Sequence, residues 1–263
     1  MAGGNWTSQN KVLPGVYINV KSRENIHAET GERGVVAIAE PLSWGKTGVV
    51  QQIEPGEDLR PYIGYDLTQP QALFLREMMK GSDASAGPKK ILLYRPAGSN
   101  GAAAKATVGE LTVTALYEGI RGNDITVMIQ EQVDTEGTYD VTTLIDGRAV
   151  DTQSIGDLSQ LSANEWVTFS GTGTSFQETA GTALTGGKDL EVSSSDYADF
   201  LTAVEPYRFD VLVYDGTDAT TIAAIASFVE RLSDNVGQKC QAVMAGENAV
   251  SCDSEFVIAV KNG

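Results

Sequence analysis

The stretch Ala115–Ile129 reads ALYEGIRGNDITVMI, and its pattern predicts the local fold. Apolar and polar residues alternate up to Tyr117, as in an edge-facing β-strand, and the alternation resumes after a break at Gly119 and Gly122. Glycine adopts backbone angles that a residue with a Cβ atom resists, so two glycines between alternating segments favour a sharp corner. The stretch therefore predicts a strand, a glycine-rich corner and a second strand, as at the corner of a β-sandwich.

The corner ends in two residues that are common in turns. The side chains of Asn123 and Asp124 can form hydrogen bonds with nearby backbone groups. We therefore expect both side chains to cap the corner locally.

The same string resembles a signature of a known family. The pattern A-x-Y-x-G-x-x-G-N-x-I-x-V-x-I marks the β-sandwich insertion of contractile-tail sheath proteins, and this chain carries it at Tyr117, Gly119, Gly122, Asn123, Ile125 and Val127. Further pieces resemble that family in the family's order: PGVY at 14–17, GVVAIA at 34–39, LSWG at 42–45, ILLYR at 91–95, TGGKD at 185–189 and FVER at 228–231. The ordered set is most similar to the short sheath proteins of phages of Gram-positive hosts and of phage-tail-like bacteriocins.

Composition and turn signals divide the chain into four parts. Residues 1–33 form an N-terminal arm or linker, 34–96 the first part of an α/β core, 97–188 an inserted domain and 189–263 the second part of the core. The predicted fold class is an α/β (α+β) core with an inserted antiparallel β-sandwich domain and an extended N-terminal arm. Because the chain ends directly after a predicted strand, we expect a truncated sequence that lacks the family's remaining C-terminal core and its C-terminal arm.

Apolar strands alternate with amphipathic helices in the two core parts. The predicted strands are Val35–Ala39, Ile91–Tyr94, Phe209–Tyr214, Cys240–Met244 and Phe256–Val260. The predicted helices begin at Pro70, at the possible N-caps Ser193 to Ser195 and at Asp218, and the last of them ends at Gly237. Strands that alternate with helices indicate a partly parallel sheet.

The insertion carries the signals of short antiparallel strands. Asp146-Gly147 lies between TTLI and RAV and predicts a tight hairpin, and Glu136-Gly137 can turn the preceding pair. The candidate core aromatic residues are Trp166, Phe169 and Phe176. Glycine-rich segments lead into the insertion at 97–102 and out of it at 185–187, and we expect the first of them to be flexible.

One strand signal stands within residues 1–33. It consists of Val16, Tyr17, Ile18, Asn19 and Val20. A terminal strand without a local hairpin partner pairs within its own chain or adds to a neighbour's sheet, and an isolated domain favours the first choice. The resemblance reverses this preference, because the arms of this family lace adjacent subunits together. It implies that Val16–Val20 is an inter-subunit strand.

The net charge of −16 argues against nucleic acid as a partner, because phosphate binding needs clustered lysine and arginine. Between Glu110 and Glu178 there are 12 acidic residues and 2 basic ones. We therefore interpret the insertion as a well-solvated surface module, and the resemblance implies that it lies outermost in an assembly. No apolar run approaches the ~20 residues that cross a bilayer, which argues against direct membrane insertion.

No motif predicts a catalytic, cofactor-binding or metal-binding residue. The segment GTALTGGKD places Lys188 one residue too late for a phosphate-binding loop, and Asp189 replaces the required serine or threonine. His27 is the sole histidine, and no G-x-S-x-G turn supplies a nucleophile. Cys240 and Cys252 lack the spacing of metal ligands, so we interpret them as small buried hydrophobic residues.

The resemblance implies a structural, non-enzymatic function without cofactors. Sheath subunits polymerise helically around a tail tube and contract to drive the tube through a cell envelope. The implied partners are neighbouring sheath subunits, the tail tube protein, and the baseplate and tail-terminator proteins. The implied location is the virion tail of a phage or of a headless bacteriocin, after assembly in the host bacterial cytoplasm. The residues alone leave two alternatives: a carbohydrate- or receptor-binding β-sandwich module in 97–188, and an enzyme of unknown class built on the α/β part.

Overall fold

The structure of the protein is a computed structural model that describes residues 34–81 and 86–261. The predicted arm strand Val16–Val20 and His27 lie outside the described residues. In chain order, the described strands are β1 Val35–Ala39, β2 Val50–Ile53, β3 Lys90–Tyr94, β4 Lys105–Val108, β5 Leu111–Ala115, β6 Ile125–Glu131, β7 Tyr139–Ile145, β8 Arg148–Ile155, β9 Val167–Ser170, β10 Thr179–Ala183, β11 Val211–Tyr214, β12 Gln241–Ala245 and β13 Val257–Val260. The α-helices are α1 Arg60–Ile63, α2 Leu73–Lys80, α3 Ser194–Val204, α4 Ala219–Arg231 and α5 Glu247–Val250.

A six-stranded sheet forms the centre of the α/β core. Its strand order is β13-β12-β11-β1-β3-β2. Neighbouring strands are parallel from β13 to β3, and β2 pairs antiparallel with β3. The prediction of a partly parallel sheet is therefore confirmed.

The helix ends follow from local sequence chemistry. The Ser193 backbone N–H donates to the carboxylate of Asp196 at the start of α3, and the Asp218 carboxylate accepts from the Thr221 backbone N–H at the start of α4. Such side chains satisfy backbone N–H groups that have no partner within the helix. A π-helical turn, Leu232–Val236, extends α4, and Gly237 ends it with a left-handed φ of 82°.

Two apolar clusters lie on opposite faces of the core sheet. One cluster joins the sheet to α3 and α4, and its buried members include Leu92, Phe200, Leu212, Ile225 and Met244. The other joins the sheet to α1 and α2, and its buried members include Ile38, Ile53, Ile63, Leu75 and Leu93. Cys240 is buried, whereas Cys252 is partly exposed, so the interpretation of both as buried residues is correct only for Cys240.

The insertion is a sandwich of two antiparallel sheets. One sheet has the order β10-β6-β7-β8 and the other the order β4-β5-β9. The apolar side chains of both sheets meet in a third cluster, in which Trp166 is buried and Phe169 and Phe176 are partly buried. The β7–β8 hairpin turns at Asp146 and Gly147, with φ angles of 50° and 74°. Positive φ at both positions matches the predicted tight turn.

The predicted fold class, an α/β core with a β-sandwich insertion, is thus confirmed for the described part of the chain. The sequence patterns did not indicate three short elements, β2, α1 and α5, which have four residues each. Their sequences, VQQI, RPYI and ENAV, are short and mix polar with apolar residues, so they lack the continuous apolar run that indicated the equally short β11 and β13. None of the described helices has the length and apolar character that crossing a bilayer would require.

A buried carboxyl group lies at the carboxyl end of the core sheet. Ile38 pairs with Val213 across β1 and β11, and Glu40 and Asp215 follow just beyond the ends of these two strands. Glu40 is only 9% exposed. Burial, together with the nearby charge of Asp215, raises the pKa of Glu40 from its ordinary value of 4.5 to about 8. The folded protein therefore holds a proton at neutral pH that the unfolded chain releases.

The substitution Glu40→Gln tests this protonation. Because the folded-state pKa is raised, the wild-type free energy of unfolding should fall as the pH rises from about 4.5 to about 8, by about 1.4 kcal/mol per pH unit. The glutamine variant is neutral at every pH, so its advantage over the wild type should grow across this window. Urea denaturation at pH 5, 7 and 9 measures the difference. The control Glu136→Gln changes an exposed carboxylate and should follow the wild type. Identical pH profiles for wild type and Glu40→Gln would contradict the assignment.

Candidate functional site at the junction of core and sandwich

The motif residues lie where the sandwich meets the α/β core. The chain leaves the core after β3 and returns before α3, and these two crossings pair with each other. The backbone N–H of Ser99 donates to the Glu191 carbonyl at 3.0 Å and that of Glu191 donates back at 2.8 Å, and Ala102 and Lys188 exchange a similar pair. The sandwich is therefore attached through a short antiparallel ladder, and the segment expected to be a flexible lead-in is paired.

The corner of the motif touches the core through glycine. A 3₁₀ turn, Ile120–Asp124, follows Gly119, whose φ is 135°. A Cβ atom at Gly119 would lie 2.0 Å from the carbonyl oxygen of Ser43, in the loop after β1. A Cβ atom at Gly122 would lie 2.9 Å from the Cβ atom of Ala104, which is also too close. Only glycine permits these two approaches. The approach of Gly119 to Ser43 sets how closely the sandwich lies on the core, whereas that of Gly122 to Ala104 lies within the sandwich.

Asn123 joins the corner to the return crossing. Its side-chain amide donates to the Gly187 carbonyl at 3.1 Å, and its side-chain oxygen accepts from the Gly187 backbone N–H at 2.8 Å. The expectation that Asn123 caps its own corner is therefore wrong, because its partners lie 64 residues away. The remaining motif residues Ile125 and Val127 are fully buried in β6 and pack inside the sandwich.

Three aromatic rings pack together across the junction. Trp44, from the loop after β1, is 1% exposed. Its ring contacts Tyr117 edge-on at a centroid distance of 5.2 Å and lies tilted against Trp166 at 5.1 Å. Gly64 leaves room for this indole, since a Cβ atom there would lie 2.7 Å from the Cγ atom of Trp44. The core thus inserts a tryptophan into the apolar interior of the sandwich.

Arg95 is a buried cation that binds carbonyl groups on both sides of the junction. It follows β3 and is 1% exposed. Its guanidinium donates to the carbonyl oxygens of Leu42 at 2.8 Å, Gly45 at 2.6 Å and Glu118 at 2.7 Å. Burial lowers the pKa of Arg95 to about 10, so the group remains charged at neutral pH. Arg95 thereby fixes the Trp44 loop and the motif corner with one side chain.

Arg121 makes the reciprocal connection from the sandwich to the core. It is 3% exposed, and its Nε atom donates to the Gly64 carbonyl at 2.9 Å. Its terminal nitrogens donate to Asp146 at 2.8 and 2.7 Å and to Asp124 at 2.9 Å. Its guanidinium carbon lies 4.3 Å from the ring centroid of Tyr65. Hydrogen bonds from Arg121 hold the pKa of the Asp146 carboxyl below its usual range.

This arrangement positions the sandwich on the α/β core. The carbonyl, carboxylate and guanidinium groups at the junction bind one another. No cluster of three or more potential metal ligands occurs among residues 34–81 and 86–261. The sequence patterns had not indicated Arg121 or Gly64, although Arg121 lies within the motif itself. The sequence signal that could have indicated Arg121 is a basic residue flanked by the turn glycines.

Three family models match the chain in succession. The phage tail sheath protein beta-sandwich domain matches residues 99–189, and the phage tail sheath protein central domain matches residues 191–263. The tail sheath protein Gp18 domain III N-terminal region matches residues 33–95.

Two curated proteins of Bacillus subtilis (strain 168) are similar over the full length of the chain. The phage-like element PBSX protein XkdK is 34% identical over 283 residues, and the protein YqbK is 35% identical over the same length. The chain covers 58% of each, so it spans somewhat more than half the length of these relatives.

Two solved structures share the fold. The sheath tail protein of Desulfitobacterium hafniense is 43% identical, with a TM-score of 0.81 over 95% of this chain and 56% of its own. The sheath tail protein of Listeria innocua is 36% identical, with a TM-score of 0.73 over 89% of this chain and 52% of its own.

The substitution Gly119→Ala tests the close approach at the junction. The added methyl group would overlap the Ser43 carbonyl, and the residue would keep a φ that alanine disfavours. We expect a loss of about 3 kcal/mol or more in the free energy of unfolding, measured by urea denaturation. Limited proteolysis should also reveal new cleavage in the loop after β1.

Gly137→Ala is the matched control. Gly137 also has a positive φ, 76°, but nothing lies within 4 Å of the position that a Cβ atom would occupy there. Only the backbone cost of about 1 kcal/mol therefore applies. Equal losses in the free energy of unfolding for the two variants would show that the close approach to Ser43 does not affect stability.

Proposed function

Because the chain belongs to the phage tail sheath protein family, we propose that it is a structural subunit of a contractile tail sheath. Copies polymerise helically around a tail tube, and contraction drives the tube through a cell envelope. The observation that carries the proposal is the unbroken succession of sheath regions along the chain, from the core through the β-sandwich and back to the core. The partners are neighbouring sheath subunits, the tail tube protein, and the baseplate and tail-terminator proteins, in a virion tail assembled in the bacterial cytoplasm.

The junction supports a mechanism in which core and sandwich move together. Two buried arginines, three packed aromatic rings and a backbone ladder connect them. Contraction then exchanges contacts between subunits and leaves each subunit internally unchanged. Free energy is stored at assembly behind a kinetic barrier, and no catalytic group or cofactor takes part.

The boundaries of the functional parts are part of the same proposal. Residues 1–33 serve as the arm, 34–96 and 189–263 as the core, and 97–188 as the insertion. The segment Val16–Val20 adds a strand to the sheet of a neighbouring subunit. The acidic insertion faces outward, where like charge keeps copies soluble and prevents lateral aggregation. The family motif from Tyr117 to Val127 keeps the insertion in this orientation.

Electron microscopy tests the assembly. The protein is expressed alone and together with its neighbouring tail genes. We expect regular helical tubes or sheathed tails, with the insertion at the largest radius. Folded monomers under every condition would contradict the sheath function.

Deletion of residues 1–20 tests the arm. We expect a folded, soluble monomer that no longer forms tubes, because the core retains its own hydrophobic clusters while the inter-subunit strand is lost. Size-exclusion chromatography and electron microscopy provide the measurement. Deletion of residues 1–10 is the matched control, since it shortens the segment but keeps Val16–Val20. Normal tubes from the longer deletion would rule out the proposed role of the arm in connecting subunits.

A further inference from the structure

The core sheet reverses its strand order between β1 and β11. From β1 the chain continues to β2 and β3, which lie on one side of β1, and from β11 it continues to β12 and β13 on the other side. The helices also change face there, since α1 and α2 pack on one face and α3 and α4 on the opposite one. In open α/β sheets, ligands bind in the crevice outside the carboxyl ends of the two strands at such a reversal. The carboxyl ends of β1 and β11 are therefore the place where a ligand site is expected.

Two carboxyl groups without partners stand at this reversal. Glu40 is the first residue after β1, and Asp215 is the first residue after β11. Although Glu40 is only 9% exposed, neither carboxyl group has an ion-pair or hydrogen-bond partner among residues 34–81 and 86–261. Buried polar groups in folded proteins normally have a partner, because leaving one unpaired is costly. Glu40 therefore indicates a partner that the described residues do not supply.

The other charged groups at this end of the sheet are already engaged. The carboxylates of Asp196 and Asp218 accept from backbone N–H groups at the starts of α3 and α4. The guanidinium of Arg95, which follows β3, donates to three carbonyl oxygens. No described cation is thus left to compensate the two carboxyl groups at the reversal.

Aromatic side chains of α3 border the crevice. Tyr197, the fourth residue of α3, contacts the ring of Tyr214 edge-on at a centroid distance of 5.1 Å, and Tyr214 is the last residue of β11. One turn further along α3, Phe200 packs against Tyr94, the last residue of β3, at 5.4 Å. The start of α3 therefore spans the ends of β11 and β3, and Glu40 at the end of β1 lies between them. Burial, together with the charges of Tyr214 and of the two carboxyl groups, raises the pKa of Tyr197.

We propose that Glu40, Asp215 and Tyr197 form a binding site for one organic cation with N–H donors, an ammonium or a guanidinium group. Carboxylate oxygens accept charge-assisted hydrogen bonds from such a group, and a phenol oxygen can accept a further one. The charge of Asp215 repels an anion. A divalent calcium or magnesium ion prefers six or more oxygen ligands, and the described residues include no cluster of three or more potential metal ligands.

Two sources can supply this cation: a free amine, or a basic side chain of the polypeptide itself. Residues 1–23 contain Lys11, Lys21 and Arg23 and no acidic residue, in a chain whose net charge is −16. The chemistry that the site recognises is the same in both cases. The site does not depend on sheath assembly, so its failure and failure of the proposed function are separate results.

Binding should be coupled to the release of a proton. Glu40, whose pKa is raised to about 8, is protonated at neutral pH, and a bound cation stabilises its ionised form. Tyr197 and Tyr214 stay neutral across this range because burial raises the pKa of each, and Asp218 stays ionised because hydrogen bonds from Thr221 lower its pKa. The affinity should therefore rise about fivefold or more from pH 6 to pH 8 and level off above that.

Titration calorimetry of the full chain tests the site. The probes are n-butylammonium and methylguanidinium at pH 7, in phosphate and in Tris buffer, whose different ionisation enthalpies reveal proton release. We expect saturable 1:1 binding with release of about one proton. Glu40→Gln should remove the proton release and weaken binding about tenfold, and Tyr197→Phe should weaken binding about threefold while the release persists. The control Asp134→Asn changes an exposed carboxylate in the sandwich and should bind as the wild type does.

Two further titrations separate specific binding from general attraction to an acidic protein. Tetramethylammonium has no N–H donor and should bind about tenfold more weakly than n-butylammonium. The full chain with Lys11→Gln, Lys21→Gln and Arg23→Gln identifies the source. Tighter binding of the probes to this variant would support the site with a basic side chain as its occupant, and unchanged binding would support it with a free amine.

Four results would overturn the proposal. They are the absence of binding to both the wild type and the triple variant, equal binding of tetramethylammonium, unchanged binding to Glu40→Gln, and calcium binding that is tighter than that of either probe with the same proton release. Glu40→Gln keeps the size of the side chain and removes a buried ionisable group, so loss of folding would not explain weaker binding.

Discussion

Two buried guanidinium groups hold the β-sandwich on the α/β core, and the relation between the two bodies depends on them. Arg95 reaches from the end of β3 to the Glu118 carbonyl in the motif corner, and Arg121 reaches from that corner to the Gly64 carbonyl of the core. A charge removed from water costs several kcal/mol unless its donors are satisfied. Here carbonyl oxygens and the carboxylate of Asp146 satisfy them. Loss of either arginine would leave buried acceptors without donors, so the junction is stable only as a whole.

The steric contacts at the junction complement these hydrogen bonds. Gly119 lies against the Ser43 carbonyl and Gly64 lies against the indole of Trp44, and neither position has room for a Cβ atom. Because the bodies approach this closely, the donors of the arginines reach their acceptors at 2.6 to 2.9 Å. The glycines therefore contribute by allowing the sandwich and the core to approach each other closely. This explains why a motif with no reactive group can mark a family.

The two halves of the core sheet differ in how the described helices cover them. Beside α2 the sheet is closed on both faces, as in an ordinary α/β domain. Among the described residues, the half of the sheet toward β13 packs against α3 and α4 on one side, and Ile258 and Val260 are exposed.

Local sequence determined much of this protein. The alternation in β5 and β6, the Asp-Gly turn at 146–147, and the caps at Ser193 and Asp218 each depend on residues within a few positions, so periodicity and turn chemistry were sufficient to predict them. The motif string was also enough to indicate the family. The short elements β2, α1 and α5 carried no signal because each combines only four residues with a mixed polar and apolar sequence.

Only the tertiary structure decided what the motif residues do. Asn123 was expected to cap its own turn and instead binds Gly187, and Arg121 binds Gly64, 57 residues away. These partners are distant in sequence, and nothing in the local pattern distinguishes a side chain that folds back from one that crosses between two bodies. The protonation of Glu40 likewise follows from its burial and from the nearby charge of Asp215, which is distant in sequence. Sequence specifies the elements through short-range geometry, whereas long-range packing determines which groups lose water and which groups they meet.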